Sequence, residues 1–552
     1  MEAHPVLIRR LERTRCDVHG PTIVISCQEW QILLTSGPFF PILDPRRVGK
    51  GGGSGGSVHV GSNRQARPAA GDRRARFDGQ RWFDPRLHGG WLALAVILPA
   101  VATAVGVGSS VAGASPSSGR YEINLSKNNS STVVGEPEIA IDTKDPNNLY
   151  VAWATFPMPV TITAKAPPRS CGAAVSNDGG SHWHYVSPPV NNLPNINGCE
   201  DGVAVAGPDG TLYQSGDMAT FTGIASGGIN LGGTLGGIVV HGQDWVTSSK
   251  DWGKSWSSPV ETMGSDGTRF KRGAATLPID TFDRPWISVD QSTNTVYAIG
   301  HNIVDHDGYI TASTNDARSF GPVYPTDSVT YPHDSHVFGG NVAASHGIVA
   351  TAYTATPAPG ATCPCVVFET STDNGATWNR HIAPLTNASS APAPFITADP
   401  YHKGHFAMQV FDSTGTKNQV YTTDDSGVTW EGPTLVAESP PTQRFKPWIS
   451  YGANGDIALV WRTWHGAPDA SPYDVWAAVG HDQGQSAPVF SAPMRISSET
   501  GSYPKGYIAG DDISWIITQG KYVYVGWGDA RNGPVQVWMS RVPLADFSIP
   551  SG

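Results

Sequence analysis

Ser371-Thr372-Asp373-Asn374-Gly375-Ala376-Thr377-Trp378 is the stretch on which the fold turns. Its pattern is Ser/Thr, any, Asp, any, Gly, any, Ser/Thr, Trp. The pattern returns at 423–430 (TDDSGVTW), at 249–256 (SKDWGKSW) and at 176–183 (SNDGGSHW), where His182 takes the second Ser/Thr position. A decayed copy lies at 313–320, with Asn315 for Asp and Ala317 for Gly, and 480–484 (GHDQG) holds a remnant. Asp-x-Gly describes a tight turn: the carboxylate accepts backbone N–H groups and Gly takes positive φ. The hydroxyls bond the same turn, and the Trp tucks its ring beneath it. Each copy therefore predicts a β-hairpin.

Between the boxes a second unit recurs: a short apolar strand, a turn, then another strand. It appears seven times, at 137–153, 202–213, 284–298, 339–353, 395–410, 446–461 and 512–527. An inner pair of strands followed by a box-closed outer hairpin makes four strands per repeat, the unit of a β-propeller. The expected fold is all-β, a propeller of seven four-stranded blades with six as the alternative, and the box hairpins on its rim. The seventh unit lacks a box. Residues 121–125 are expected to supply its outer strand and so close the ring.

Composition agrees. The 552 residues include 63 Gly, 44 Pro and 18 Trp, and only 15% are charged. That excludes coiled coils and helical bundles and favours short strands joined by turns. The net charge of −10 conceals a split. Residues 1–90 carry 14 Lys+Arg against 8 Asp+Glu, and 91–552 carry 23 against 39. An acidic body lacks the cationic footprint of a nucleic-acid binder.

The chain is expected to divide in three. Residues 1–90 form a basic, low-complexity leader without sustained strand or helix period, either disordered or the product of a start placed too far upstream. Residues 91–114 hold the uncharged run WLALAVILPAVATAVGV behind an Arg-rich stretch and end in Ala112-Gly113-Ala114, the parts of a secretory signal or a signal anchor. Residues 115–552 form the propeller. The expected location is secreted or at the cell surface, with membrane contact only through an uncleaved signal segment. Export permits disulfides. Cys171–Cys199 is the preferred pair, and Cys363-Pro364-Cys365 is left open.

The boxes resemble Asp-boxes, the bacterial neuraminidase repeats, and the body from about 134 to 543 resembles secreted sialidase-like propellers. The resemblance implies a glycoside hydrolase of exo-α-sialidase type, in which three arginines hold the substrate carboxylate while an Asp and a Tyr–Glu pair carry the chemistry. The Phe/Tyr-Arg-Ile-Pro segment of that family has no counterpart before the first box. No catalytic residue therefore transfers by motif.

Candidate residues come instead from propeller geometry, which gathers the starts of the innermost strands at one mouth. Glu136, Glu138, Glu200, Asp201 and Asp283 are the candidate catalytic carboxylates, since two carboxylates flanking a sugar bond are what glycoside hydrolysis requires. Tyr507 is a candidate nucleophile or donor. Arg284, Lys446, Arg462, Trp464 and Arg531 are the candidate substrate contacts, with Arg462 placed to stack between Trp461 and Trp464. His301, His306, His333 and His336 read as solvated loop histidines. No metal ligands are assigned and no cofactor is required, although the carboxylate ring could hold calcium. The expected partner is a carbohydrate. A non-catalytic glycan- or protein-binding propeller and a polysaccharide lyase are the alternatives. The Gly-rich insertion 223–237 reads as a lid or a loop.

Overall fold

The computed structural model of the chain describes residues 17–19, 22–27, 30–35 and 110–112. It also describes 119–549, apart from connections at 128–131, 158–169, 187–200, 225–228, 231–233, 264–268, 273–274, 279–281, 303–306, 333–339, 356–364, 384–393, 439–443, 467–470, 503–512 and some shorter stretches. Seven four-stranded antiparallel meanders follow one another. Blade 1 comprises Thr132–Ile141, Leu149–Pro157, Ser170–Ser176 and His182–Val186; blade 2, Ala204–Ala206, Leu212–Gly216, Asp244–Ser249 and Val260–Met263. Blade 3 comprises Phe282–Val289, Val296–Asn302, Gly308–Ser313 and Tyr324–Pro325; blade 4, Val342–Ser345, Ile348–Ala355, Cys365–Ser371 and Asn379–Ile382. Blade 5 comprises Phe395–Ala398, Phe406–Phe411, Lys417–Thr423 and Glu431–Glu438; blade 6, Arg444–Tyr451, Asp456–Trp464, Tyr473–His481 and Val489–Phe490, with Met494–Arg495 beside its third strand. Blade 7 comprises Trp515–Gln519, Tyr522–Asp529 and Gln536–Pro543, and its fourth strand is Tyr121–Asn124.

The ring closes as the repeat predicts. Arg541 faces Tyr121 and Trp538 faces Asn124 across the closing pair. Arg541 lies over the rings of Tyr121 and Tyr522 at 4.6 and 4.5 Å and donates to the Gly179 carbonyl of blade 1 at 2.5 Å. One guanidinium thus joins the last blade, its borrowed strand and the first blade.

The boxes form the turns between third and fourth strands. Asp373 accepts the Thr377 N–H at 2.9 Å and the Thr377 hydroxyl at 2.7 Å, and Ser371 Oγ accepts the Gly375 N–H at 2.8 Å. The same bonds recur at Asp425 and Asp251. The decayed copy keeps the turn: Asn315 accepts the Ser319 N–H at 3.1 Å, and Ala317 adopts φ 58°. Gly375 is needed for a second reason. A Cβ there would stand 2.4 Å from Ile310 of the preceding blade.

Antiparallel meanders give the ring two unlike faces. Turns from first to second strand and the boxes share one, the box face. The first-to-second turns span only two to seven residues. The other is the loop face. The innermost strands begin there. The Gly-rich insertion belongs to this face and is a hairpin rather than a plain loop: Ala219–Ile224 pairs with Ile238–Gly242, tipped by Ile229–Asn230 and Thr234–Leu235.

The N-terminal region contributes strands of its own. Asp17–His19, Thr22–Cys27 and Trp30–Thr35 form a three-stranded antiparallel sheet where no strand period was read. Ser110–Ala112, assigned to the signal segment, adds a fifth strand to the edge of blade 1. Residues 36–107, with the apolar run, lie outside the described residues. Among the described residues no helix is long and apolar enough to cross a membrane. Cys171 is not a free thiol, and its expected partner Cys199 lies outside the described residues.

Candidate functional site at the loop-face mouth

Three innermost strands start with the same irregularity. Blades 1, 3 and 6 carry a bulge where the sequence reads Glu136-Pro137-Glu138, Arg284-Pro285-Trp286 and Lys446-Pro447-Trp448. Proline removes a ladder donor, and a bulge is where a strand tolerates that loss. Glu136 and Arg284 adopt φ 56° and 57°, and Asp201, at the start of blade 2, adopts 47°. Positive φ at a non-glycine residue costs roughly 1–3 kcal/mol and tends to gather at functional sites. Here it re-aims three of the predicted charged residues.

Glu136 Oε2 accepts the Asp201 N–H at 2.9 Å, linking blades 1 and 2 at the mouth. Two residues on, Glu138 is fully buried against Gly202, where a Cβ would stand 2.4 Å from Glu138 Oε1 and 2.4 Å from the Ser215 carbonyl. Neither Glu138 carboxyl oxygen has a hydrogen-bond partner among the described residues. Burial first, and the neighbouring Glu136 charge second, push its carboxyl well above the usual carboxylate range. Burial thus favours the protonated form of Glu138. Tyr150, also buried near Glu138, donates to Gln214 Oε1 at 2.5 Å.

A second pair repeats the arrangement one blade along. Asp244, at the start of the third strand of blade 2, is fully buried against Gly300 of blade 3, and its carboxyl is raised by burial and then by Asp283. Asp283 is 5% exposed and directly precedes Arg284. Each mouth carboxylate, Glu136 and Asp283, thus has a buried acid as neighbour.

The axis is filled by aromatic rings from the innermost strands. Trp286 of blade 3 meets Trp448 of blade 6 edge-on at 5.8 Å, a contact that must cross the axis because these blades are not adjacent. Phe395 touches both, at 5.6 Å from Trp286 and 5.3 Å from Trp448, and Trp515 stacks on Trp448 at 4.2 Å. Such pairs each add about 1 kcal/mol beyond the area they bury. Arg284, half-buried, holds its guanidinium 5.7 Å from the Trp286 ring. The mouth therefore has an aromatic floor and a charged rim.

Several predicted contacts lie elsewhere. Arg462 is fully buried between blades 6 and 7, donating to Ser514 Oγ at 2.8 Å and the Ile513 carbonyl at 3.0 Å. It lies 5.2 Å from the Tyr473 ring, and Trp464 is equally buried with its edge to Tyr473, so this trio is interblade packing rather than a sugar platform. Arg531 pairs with Glu122 at 2.7 Å and Asp529 at 2.6 Å and lies over Trp538 at 4.3 Å. It braces the closing strand. His301, read as a solvated loop residue, is 1% exposed with its ring 5.7 Å from Trp286. Glu200 and Tyr507 lie outside the described residues, as do His306, His333 and His336, and of Lys446 only the strand position is described.

Sequence reasoning missed the floor and Asp244. The floor had a signal: Pro-Trp-Ile-Ser occurs at both 285–288 and 447–450. Asp244 begins an ordinary strand and carries no local signal.

These features define a seven-bladed β-propeller with a carboxylate-rimmed mouth. Among solved structures it is similar to a protein of unknown function from Dyadobacter fermentans, at 13% identity and a TM-score of 0.44, covering 76% of this chain and 97% of that one. It is also similar to the Hadza microbial sialidase Hz136, at 12% identity and TM-score 0.38 over 78% of this chain and 69% of that one. A third is the α-L-arabinanase of Penicillium chrysogenum, at 14% and 0.35 over 67% and 94%. These likenesses reach no further than the fold. No protein-family model matches the chain, and no curated protein matches it in sequence.

Proposed function

We propose that the protein is a glycoside hydrolase acting on an extracellular glycan at the loop-face mouth. One observation carries the reading: two buried carboxylate pairs, Glu136 with Glu138 and Asp283 with Asp244, stand near an aromatic floor, and burial raises one member of each. Glu136 and Asp283, 3% and 5% exposed, are the members of each pair assigned to face the ligand. Burial raises the carboxyls of Glu138 and Asp244 beside them, a separation of acidities that supports the acid and base roles of glycoside cleavage. The floor supplies apolar surface for a sugar ring, and Arg284 supplies a cation for an acidic one. The finer reading is an exo-α-sialidase type of activity, and it rests on Arg284 as anchor of the substrate carboxylate.

The test is a screen of purified protein against a fluorogenic sialoside, arabinan oligosaccharides and a panel of plant and microbial glycans. Sialic acid release that disappears in Arg284→Ala and Glu136→Gln supports the finer reading. Release of another sugar keeps the hydrolase and discards the sialoside. A second reading, a non-catalytic glycan-binding propeller, is favoured by the engagement of Arg462 and Arg531 within the fold. Glycan-array binding without turnover of any substrate would establish it in place of the hydrolase.

A further inference from the structure

On the box face, the turn joining the first two strands of blade 5 reads Asp399-Pro400-Tyr401-His402-Lys403-Gly404-His405. Asp399, His402 and His405 each direct one ligand-capable atom into a common space, all within 4.8 Å of one another. Asp399 is almost fully buried, and its Oδ2 lies 2.8 Å from His402 Nδ1. The two imidazoles are 5.2 Å apart, centroid to centroid. A fourth ligand-capable atom comes from blade 6: Asp482 Oδ2 lies 3.7 Å from His405 Nδ1.

The histidines are not needed to build the turn. Blade 1 makes the same seven-residue connection with Asp142 to Asn148. In both, the first carboxylate accepts the N–H two residues on, from Lys144 at 2.9 Å and from Tyr401 at 2.7 Å. In both, the same backbone bonds follow: Asp142 N–H to Asn148 carbonyl and Asp399 N–H to His405 carbonyl, each at 3.0 Å. Blade 1 has Asp145 and Asn148 where blade 5 has His402 and His405. In blade 1 the Asn148 amide donates to Asp142 Oδ2 at 3.1 Å, and in blade 5 His402 Nδ1 meets the matching Asp399 Oδ2 at 2.8 Å, so the turn accounts for one nitrogen of His402 and gives His405 no such role.

Asp482 is also diverted. It is the aspartate of the decayed box in blade 6. In the intact boxes the aspartate's second oxygen accepts a hydroxyl from its own hairpin. Asp482 Oδ1 still accepts a local N–H, from Gly484 at 2.9 Å, but Oδ2 turns toward blade 5 and accepts the Tyr451 hydroxyl at 2.6 Å. That hydroxyl stands where a partner orienting a metal ligand would stand.

We propose that Asp399, His402, His405 and Asp482 form a binding site for a divalent transition-metal ion, zinc foremost, that pins blade 5 to blade 6 on the face opposite the mouth. Two imidazoles with carboxylate oxygens suit zinc, whose bonds of roughly 2.0–2.1 Å place ligand atoms about 3.3 Å apart. The present separations bracket that value. Closing the site requires side-chain shifts that draw together the atoms of Asp399, His402 and His405, now within 4.8 Å of one another, and bring in Asp482.

The test uses the full chain stripped with a chelator and dialysed metal-free. Calorimetric titration with Zn2+ should give one ion per chain, and Co2+ should give the visible absorption of a four-coordinate site. Zn2+ should raise the Tm. His402→Ala and His405→Asn, the latter copying blade 1, should each weaken binding at least tenfold and abolish the Tm rise. In the presence of chelator both variants should melt as the wild type does. If His405→Asn lowers the metal-free Tm, His402→Ala alone carries the comparison. No stoichiometric binding by the wild type, or binding unchanged in His402→Ala, would overturn the site.

Discussion

The two faces of the ring treat the same functional group in opposite ways. On the box face, Asp178, Asp251 and Asp425 are partly buried, which disfavours their charge, but hydrogen bonds from their own turns outweigh this and hold them below the usual range. At Asp373 the Thr377 hydroxyl and N–H achieve the same. On the loop face, Glu138 and Asp244 are buried beside another carboxylate and driven upward. The box carboxylates hold turns together. At the mouth, Glu136 accepts the Asp201 N–H, while neither carboxyl oxygen of Glu138 or Asp244 has a hydrogen-bond partner among the described residues.

If the mouth is built for chemistry, the largest effect should come from its rim. Glu136→Gln and Asp283→Asn should each lower turnover of the responsive substrate by roughly 100- to 10,000-fold, with Tm nearly unchanged. A large fall in Tm would instead assign those residues to the scaffold. The box face should answer in reverse. Trp183, fully buried with its N–H on the Gly180 carbonyl at 2.9 Å, should cost about 3–5 kcal/mol in urea denaturation when changed to Ala, while Kd for glycan stays put.

Acid and base should separate the faces further. Glu138 has a folded pKa above its unfolded value of about 4.3, so its contribution is full below that pH and is lost as pH rises through the folded value. Glu138→Gln should therefore flatten the decline of Tm on the alkaline side. Asp425 is shifted downward; its contribution is present above about pH 3.9 and is lost as pH falls through the folded value. Asp425→Asn should flatten the acid limb only. Identical Tm–pH curves for the two variants would erase the distinction. The smallest effect belongs to Thr423→Val, which deprives the Gly427 N–H of its acceptor at 2.9 Å and should cost about 1–2 kcal/mol.

The fold was legible because its signal is local and repeated. Asp373 and Thr377 are four residues apart and bond each other, so their pattern survives in the sequence even where Asn315 replaces the aspartate. The closing strand 121–124 was legible by elimination, since the seventh unit lacked an outer strand. The site was legible only in part. Glu136, Asp283 and Arg284 lie at the bulges of the innermost strands of blades 1 and 3, and Asp201 lies just before that of blade 2. Arg462 misled because its flanking tryptophans suggest a sugar platform. Its register, opposite Phe445 and Val475 in mid-blade, puts it instead between blades 6 and 7, and one sequence cannot report that. Asp244 and the Trp286–Trp448 contact arise only when distant strands share an axis. His402 and His405 were missed for a different reason: they sit in a turn that blade 1 builds without histidine.

The borrowed fourth strand of blade 7 also sets an order of events. Glu122 and Arg531, which meet at 2.7 Å, are 409 residues apart in the chain. On the ribosome the first propeller strand to emerge must stay unpaired until the last blade has been made. Until then blade 1 and the newest blade both present raw edges, and no intermediate count of blades hides them. A chain cut short anywhere before blade 7 is left as an arc rather than a smaller ring, and an arc offers its free edges to a neighbour.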